Sequence, residues 1–336
     1  MTRGCRSRRP PRAAAAALLL LAAGVAAAAP YKSDPGPHRV EVQLGEWADT
    51  ARDGRVVRWK LYLPEAGDEA VPAPVVIWSH GAGGSRDGAE YLGRHLASWG
   101  YATFHLQHAG SDVVVLRQHG VQGMLREVRS PQVSIDRFGD VPFAVQRIAA
   151  MAQGDLAGRL DAERIGISGH SFGAITTLVA VGQSMPQVGR RFAVPELRGA
   201  FAMSPSKPRG RSLGEAFAAM SAPIFHLTGT DDGSPLGDQT VETRSAPFEA
   251  IDGVEQWLLV LDDGVHSTFS GRPVREPGKA RDELGRHHEI VRMAAVAFWD
   301  LVLRGDAAAA AWLREGGLAA ELSAEDGTVR HRPAGE

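Results

Sequence analysis

The chain has 336 residues, of which 44% are hydrophobic and 23% are charged, and it contains 39 glycines and one cysteine. These proportions are typical of a soluble globular enzyme and exclude a collagen-like repeat or a disulfide-rich scaffold. A formal net charge of −2 disfavours nucleic acid as a main partner, and a single cysteine excludes a zinc site built from cysteines.

Residues 1–29 are predicted to form a secretory signal peptide. Residues 1–12 contain five arginines and no acid, and residues 13–29 are apolar and end in small residues. A basic segment, a short apolar run and a small-residue cleavage site are the three parts of an export signal. The alternative is an uncleaved membrane anchor, which is disfavoured because the apolar run is short for a spanning helix. We therefore expect an exported protein, periplasmic or secreted, with no stable membrane span after signal removal.

Signal removal changes the composition of the mature chain. Its only thiol, Cys5, leaves with the signal, as do five of the 37 basic residues, while all 39 acidic residues remain, which gives a net charge of −7. A mildly acidic chain is expected to have neither nucleic acid nor an anionic membrane surface as its main partner. The sequence leaves the oligomeric state open.

Eight segments after the signal are predicted to be β-strands. The first two alternate polar and apolar residues and lie close together, as an antiparallel edge pair does. Several later ones are almost continuously apolar, which is typical of strands buried on both faces. The eight are Val40–Leu44, Val56–Leu63, Val75–Ser79, Ala102–Leu106, Arg164–Ser168, Gly199–Met203, Ile224–Thr228 and Gln256–Leu261.

Helical patterns lie between and after these strands. Alternating strands and helices predict an α/β domain over residues 38–305, with a mostly parallel sheet of about eight strands and helices on both faces. The predicted helices are Gly88–Trp99, Ser134–Met151, Phe172–Val181 and Glu289–Arg304.

Three connecting segments complete the predicted organisation. About 20 residues separate Met203 from Ile224, which leaves no room there for a large cap domain. The largest irregular stretch, Gln107–Pro131, is expected to line one wall of a site. Residues 306–336 are predicted to form a C-terminal helix and then a flexible tail that frays from Ser323.

The motif Gly169-His170-Ser171-Phe172-Gly173 lies between a predicted strand and a predicted helix. That setting is typical of a nucleophile elbow, in which a strained turn exposes a serine at the top of the sheet. Ser171 is then the nucleophile, and the backbone N–H of Phe172, at the start of a helix, binds a developing oxyanion. The alternative is a glycine-rich turn that carries no chemistry.

A second glycine-rich turn, Ser79-His80-Gly81-Ala82-Gly83-Gly84, follows the third predicted strand. Together with the elbow it resembles the dienelactone-hydrolase-like and platelet-activating-factor-acetylhydrolase-like branch of the α/β-hydrolases, over roughly residues 40–304. The resemblance implies an α/β-hydrolase catalytic domain over residues 38–305, with the N–H of Ala82 as the second oxyanion donor. The branch contains esterases, lipases and polyester hydrolases.

Two details of these turns bear on the resemblance. Dienelactone hydrolases proper have a cysteine where this chain has Ser171. A phosphate-cradling loop is a competing interpretation of residues 81–84, but the Gly-Lys-Ser/Thr ending of such a loop is missing. His80 and His170, which flank the turns, are expected to be framework hydrogen-bonding residues rather than catalysts.

A serine nucleophile needs a histidine base, and five histidines follow Ser171 in the sequence. His226 lies inside a predicted buried strand, the pair at 287 and 288 opens the last helix, and His331 lies in the tail. Only His266 follows the last predicted strand on a loop, where the resemblance places the base. His266 is therefore the predicted base.

The triad acid is expected on the turn after the strand Ile224–Thr228, where two neighbouring carboxylates, Asp231 and Asp232, occur. Related enzymes commonly have Gly-x-x-Asp there, which favours Asp232 and keeps Asp231 as the alternative. Platelet-activating-factor acetylhydrolases place the acid after the preceding strand, but Met203-Ser204-Pro205 offers no carboxylate at that position.

The expected activity is hydrolysis of carboxylic esters, with an acetyl or short-chain ester as first choice and no metal or organic cofactor. The partner is then a small or lipid-like ester. An apolar acyl pocket is expected from Trp78, Phe172, Phe269 and the stretch 107–131. Alternatives are a lipid, polyester or amide substrate, or a non-catalytic ligand-binding member of the same fold.

Overall fold

A computed structural model describes residues 1–2, 31–67, 71–233, 239–271 and 281–335, without the side chains of residues 281–284. The predicted signal peptide thus lies outside the described residues, apart from its first two. Residues from Tyr31 onward form a compact unit, and the architecture below is that of this unit.

In the described part of the chain, nine strands form one sheet in the order β1-β2-β4-β3-β5-β6-β7-β8-β9. Strands β3 to β8 run parallel to one another, and β1, β2 and β9 pair antiparallel at the two edges. The strands are β1 (Val40–Asp49), β2 (Arg55–Pro64), β3 (Ala73–Ser79), β4 (Ala102–Gln107), β5 (Leu160–His170), β6 (Leu197–Met203), β7 (Ile224–Asp231), β8 (Gln256–Val265) and β9 (Gly327–Arg332).

Helices cover both faces of the sheet. Because neighbouring strand residues point to opposite faces, Ile77 belongs to the apolar cluster that includes residues of α3, α4 and α5, whereas Val76 belongs to the cluster that includes residues of α1 and α7. The helices are α1 (Glu90–Ser98), α2 (Val113–Glu127), α3 (Pro131–Gln153), α4 (Phe172–Ala180), α5 (Leu213–Phe217), α6 (Val241–Ala250), α7 (Arg281–Trp299), α8 (Ala307–Arg314) and α9 (Gly317–Ala320). The α/β class, the mostly parallel sheet and the two helical layers are as predicted.

The prediction of a flexible tail is wrong, because the tail supplies the ninth strand. Strand β9 pairs with β8 from Gln256↔Arg332 to Leu261↔Gly327. The ring of His331 stacks on Trp257 at 4.8 Å, and its Nε2 lies 2.9 Å from Glu255 Oε1. Residues 327–332 contain a single apolar side chain, Val329, so this edge strand leaves little apolar signal in the sequence.

The stretch Gln107–Pro131 is also not irregular, since it contains the helix α2. The helix begins after Asp112, whose carboxylate accepts from the N–H groups of Val114 and Val115, and it is kinked at Gly120, where φ is 64°. Two large apolar residues of α2 face solvent, Val114 and Val121, and Val121 is 56% exposed. An exposed, kinked helix has no clean 3.6-residue apolar pattern, so periodicity alone does not predict it.

The segment between β6 and β7 is as short as predicted: residues 204–223 contain only the five-residue α5. No helix in the described residues is long and apolar enough to cross a membrane. Strands β3, β5, β7 and β8 all end at the same edge of the sheet, and the chain switches sides between β3 and β5. In parallel α/β sheets this edge and this switch point are where ligands bind.

Candidate active site

Ser171 lies on a strained turn between β5 and α4. Its backbone has φ 58° and ψ −114°, a conformation that non-glycine residues rarely adopt. The flanking glycines are required by close approach: a Cβ at Gly169 would lie 2.4 Å from the carbonyl oxygen of Gly173, and one at Gly173 would lie 1.9 Å from that of Ser79. The motif therefore forms the tight elbow that the sequence predicts.

The structure brings the three predicted triad residues together from three strand ends. Ser171 Oγ lies 3.0 Å from His266 Nε2, and His266 Nδ1 lies 2.6 Å from Asp232 Oδ1. Asp232 is buried, whereas Asp231 is exposed at the end of β7. Of the two candidate acids, Asp232 is the one hydrogen-bonded to His266.

These contacts fit one tautomer of the His266 ring. With Nδ1–H donating to Asp232, Nε2 carries the lone pair and accepts from the hydroxyl of Ser171. The side chain of His266 is 25% exposed and that of Asp232 is 1% exposed. The ring of His266 is therefore reachable from solvent, while the carboxylate of Asp232 that contacts it is not.

Two residues that the sequence did not predict hold Asp232. Thr228 Oγ1 donates to Asp232 Oδ2 at 2.9 Å, and the guanidinium of Arg244 lies 3.4 Å from Oδ1. Arg244 is 1% exposed and donates to the carbonyl oxygens of Asp232, Ser204 and Pro205. Arg244 lies on α6, 12 residues after Asp232, and no motif marks it.

The turn after β3 packs against the elbow. A Cβ at Gly81 would lie 3.3 Å from the Cβ of Ser171. The carbonyl of Gly81 accepts from His80 Nδ1 at 2.7 Å and from the N–H of Gly84 at 3.0 Å. Because a peptide unit is planar and trans, fixing this carbonyl also fixes the opposite direction of the Ala82 N–H.

Both predicted oxyanion donors are available. Within the described residues, no protein acceptor takes a hydrogen bond from the backbone N–H of Ala82 or of Phe172. The N–H of Phe172 stands at the start of α4, where helix N–H groups have no intrahelical partner. His80 acts as the predicted framework residue, since its Nε2 also accepts from the N–H of His108 at 3.0 Å.

A second Ser–His–Asp arrangement lies beneath this turn and was not predicted. Ser79 Oγ lies 2.9 Å from His108 Nε2, and His108 Nδ1 lies 2.9 Å from Asp140 Oδ2. All three side chains are fully buried. Asp140 also forms salt bridges with Arg52 at 2.9 Å and with Arg55 at 2.7 Å.

The buried arrangement has fixed charges. Burial lowers the pKa of His108 to about 4, so its ring is neutral at pH 7. Burial alone would raise the pKa of Asp140, but hydrogen bonds from Arg55 and His108 outweigh it and lower that pKa to about 2. His108 Nδ1–H therefore donates to an ionised Asp140, and its Nε2 accepts from Ser79.

A cleft of about 480 Å³ opens beside Ser171. A volume of this order suits a small organic ligand. Its apolar wall includes Val128, Phe138, Phe172, Ile175 and Met185, and its polar lining includes the basic residues Arg129, Lys207, Arg209 and Arg244.

The predicted acyl pocket is only partly correct. Phe172 lines the cleft, as do Val128 and Arg129 from the predicted wall 107–131. Trp78 and Phe269, in contrast, are buried in the core between the sheet and α7. The missed lining residues come from the helices α3, α4 and α6 and from the loops after α4 and β6. His226 is the core histidine that was expected, with its Nε2 3.0 Å from Gln256 Oε1.

Comparison with protein-family models and with curated protein sequences gives no match to this chain. The chemistry of the site therefore rests on its own residues and their geometry.

Proposed function

We propose that the protein is a serine hydrolase that cleaves carboxylic esters through an acyl-enzyme. The single observation that carries the proposal is the continuous hydrogen-bonded path from Ser171 through His266 to Asp232, built on a strained elbow beside an open cleft. The parallel strand order and the elbow after β5 also support an α/β-hydrolase fold without a large cap.

In the proposed first step, Ser171 Oγ attacks the ester carbonyl carbon while His266 Nε2 takes the hydroxyl proton. Asp232 stabilises the resulting imidazolium, and the N–H groups of Phe172 and Ala82 donate to the oxyanion. The intermediate then collapses, the alcohol leaves with the proton from His266, and Ser171 remains acylated. Water, deprotonated by His266, releases the acid in the second step.

The substrate proposal is a short-chain ester, with an acetyl group as the smallest acyl part. A cleft with an apolar wall of five side chains accepts a short acyl group, and its open mouth leaves room for a larger alcohol. A series of p-nitrophenyl esters from acetate to palmitate tests this. A maximum of kcat/KM at four carbons or fewer is expected, and a maximum at twelve or more would replace it with a lipid substrate.

Covalent labelling tests the reaction class. A fluorophosphonate probe should modify the wild-type protein at Ser171, as mapped by peptide mass spectrometry, and should leave Ser171→Ala unlabelled. A non-catalytic ligand-binding protein of the same fold would not react. Absence of labelling in a protein that is folded by circular dichroism would overturn the proposal.

We also propose that the protein is exported, because residues 1–29 have the three parts of a signal peptide. Determination of the N-terminal residue of protein from the extracytoplasmic fraction tests this. A start near residue 30 is expected, whereas full-length protein confined to the cytoplasm would contradict export.

A further inference from the structure

Arg137 on α3 is a cation with no exposed surface, placed beneath the two proposed oxyanion donors. Its guanidinium donates to three hydroxyl groups and one backbone carbonyl: Thr176 Oγ1 at 2.8 Å, Ser111 Oγ at 2.9 Å, Ser79 Oγ at 2.9 Å and the carbonyl oxygen of His80. These four oxygens belong to three separate segments of the chain, since Ser79 and His80 are neighbours.

Burial of this cation lowers the free energy of unfolding. Each of these acceptors is neutral, and the carboxylates of Asp140 and Asp112 act on Arg137 only through space. Burial of a cation without a directly bonded anion is strongly unfavourable, and apolar residues usually fill such positions at lower cost. A charged group kept in such a place points to a role beyond packing.

The first donor that Arg137 holds is Phe172. The guanidinium carbon lies 4.5 Å from the centre of the Phe172 ring, a cation–π contact. In addition, Thr176 Oγ1, which accepts from Arg137, donates to the carbonyl oxygen of Phe172 at 3.0 Å. Both the ring and the main chain of Phe172 are thus linked to one guanidinium.

The second donor is Ala82, which Arg137 reaches through the turn after β3. Arg137 binds the carbonyl of His80, and the ring of His80 binds the carbonyl of Gly81. That carbonyl belongs to the same peptide unit as the Ala82 N–H, so the chain of contacts ends on the donor itself. Among the described side chains whose hydrogen bonds are given above, only Arg137 contacts both the turn and α4.

We propose that Arg137 is a positioning residue that sets the spacing of the two oxyanion donors, Ala82 and Phe172. This inference rests on the proposed function, because the two N–H groups matter only if Ser171 forms a tetrahedral intermediate. A donor that is misplaced by a fraction of an ångström stabilises the transition state less, while the cleft still binds the ground-state ester. Loss of Arg137 therefore lowers kcat and leaves KM nearly unchanged.

Two variants that each remove one hydroxyl group bonded to Arg137 test this role without removing the cation. Thr176→Val deletes the hydroxyl that links Arg137 to Phe172, and Ser111→Ala deletes a hydroxyl that binds the same guanidinium on its other side. Removal of an oxyanion donor lowers kcat by about 10²–10³, and displacement of a donor costs less. We expect Thr176→Val to lower kcat about three- to tenfold and Ser111→Ala to change it less than about twofold.

Arg137→Gln and Arg137→Lys test the guanidinium itself. The glutamine variant is expected to lower kcat about tenfold to a hundredfold, a smaller loss than removal of a donor. Lysine keeps the charge but offers a point donor instead of a fork, so it should restore only part of that loss. Rates are divided by the concentration of sites titrated with the fluorophosphonate, so that unfolded protein does not enter kcat.

The decisive measurement is the affinity for a trifluoromethyl ketone, which forms a tetrahedral adduct with Ser171 and places its oxygen on the two donors. Across the four variants, the inhibition constant should rise by the same factor as kcat/KM falls, with KM of the ester within about threefold. Equal effects of Thr176→Val and Ser111→Ala, or a loss confined to KM, would overturn the proposal. An unlabelled wild-type protein would instead overturn the proposed function, so the two failures are distinguishable.

Discussion

Two Ser–His–Asp arrangements occur in this protein, with their serines at the ends of the neighbouring strands β5 and β3, and they contain the same groups in the same order. In one, Ser171, His266 and Asp232 stand at the edge of the sheet, with Ser171 7% exposed and His266 25% exposed. In the other, the serine, histidine and aspartate at 79, 108 and 140 are fully buried. The oxygen-to-nitrogen distances are 3.0 Å and 2.9 Å, so hydrogen-bond geometry does not distinguish them.

The difference lies in the backbone and in the partners of each member. Ser171 stands on an elbow at φ 58°, whereas Ser79 ends the regular strand β3 and its Oγ also accepts from Arg137. The carboxylate of Asp232 is held by a neutral hydroxyl, with one guanidinium 3.4 Å away, but that of Asp140 is held by two guanidiniums. The residue types serine, histidine and aspartate therefore do not by themselves distinguish a buried framework from the proposed catalytic site.

The serine pair gives the largest expected effect. Ser171→Ala should lower kcat for p-nitrophenyl butyrate by about 10⁴–10⁶, the loss typical of a triad nucleophile. Ser79→Ala removes a hydroxyl that no substrate can reach, so kcat should stay within about tenfold of wild type. Steady-state kinetics on both variants checks this, and a comparable loss in the two would erase the distinction between the arrangements.

The aspartate pair should separate activity from stability. Asp232→Asn favours the wrong tautomer of His266 and is expected to lower kcat by about 10⁴. Asp140→Asn leaves Arg52 and Arg55 without their buried anion and should lower the free energy of unfolding by about 3–5 kcal/mol. Urea denaturation and kinetics at 15 °C measure the two effects, and a more active Asp232→Asn than Asp140→Asn would contradict the assignment.

As pH falls, protonation of buried histidines should destabilise the fold before Asp140 is protonated and its salt bridges are lost. Burial lowers the pKa of His108 and His226 to about 4 and that of His105 to about 3. The unfolded chain binds a proton at these histidines below about pH 6.5, whereas the folded chain does so only near pH 4 and below. The stability that they contribute is complete above pH 6.5 and is lost as pH falls.

Each such histidine should lower the free energy of unfolding by about 1.4 kcal/mol per pH unit between pH 6.5 and its folded pKa. Asp140, with a folded pKa of about 2, adds a loss only below about pH 4. Urea denaturation at pH 7, 6, 5 and 4.5 measures the slope. A free energy of unfolding that is constant over this range would show that these histidines are not buried and neutral.

The smallest effect is expected from Thr228, which donates to Oδ2 of Asp232, the carboxylate oxygen that does not contact His266. Thr228→Val keeps the shape but removes the donor, and the carboxylate can then rotate away from His266. Loss of one hydrogen bond to a charged group costs about 1.5 kcal/mol or more, which corresponds to a kcat about tenfold lower. Thr228→Ser should restore kcat, and a serine variant as impaired as valine would assign the effect to packing instead.

The sequence by itself predicted most strands of the sheet and the residues of the proposed reaction. Buried strands could be predicted because a continuous apolar run such as Val75–Ser79 indicates a strand that is covered on both faces. Strands of this kind are recognisable from their own residues. Ser171 follows from a local signal as well, the glycine-flanked turn between a strand and a helix, whereas His266 follows from the resemblance, which places the base on the loop after the last predicted strand. The chain order of the elements then placed them at one edge.

Tertiary structure decided whatever depends on residues distant in the chain. Asp232 differs from Asp231 only because its carboxylate turns inward to His266, Thr228 and Arg244. Strand β9 exists because the edge of β8 offers it hydrogen bonds, and its own residues show no strand pattern. Arg137 and the buried Ser79–His108–Asp140 arrangement had no sequence signal, because the segments that fold over a polar side chain decide whether it is buried. Local physics fixed the elements, and long-range packing chose which polar groups meet.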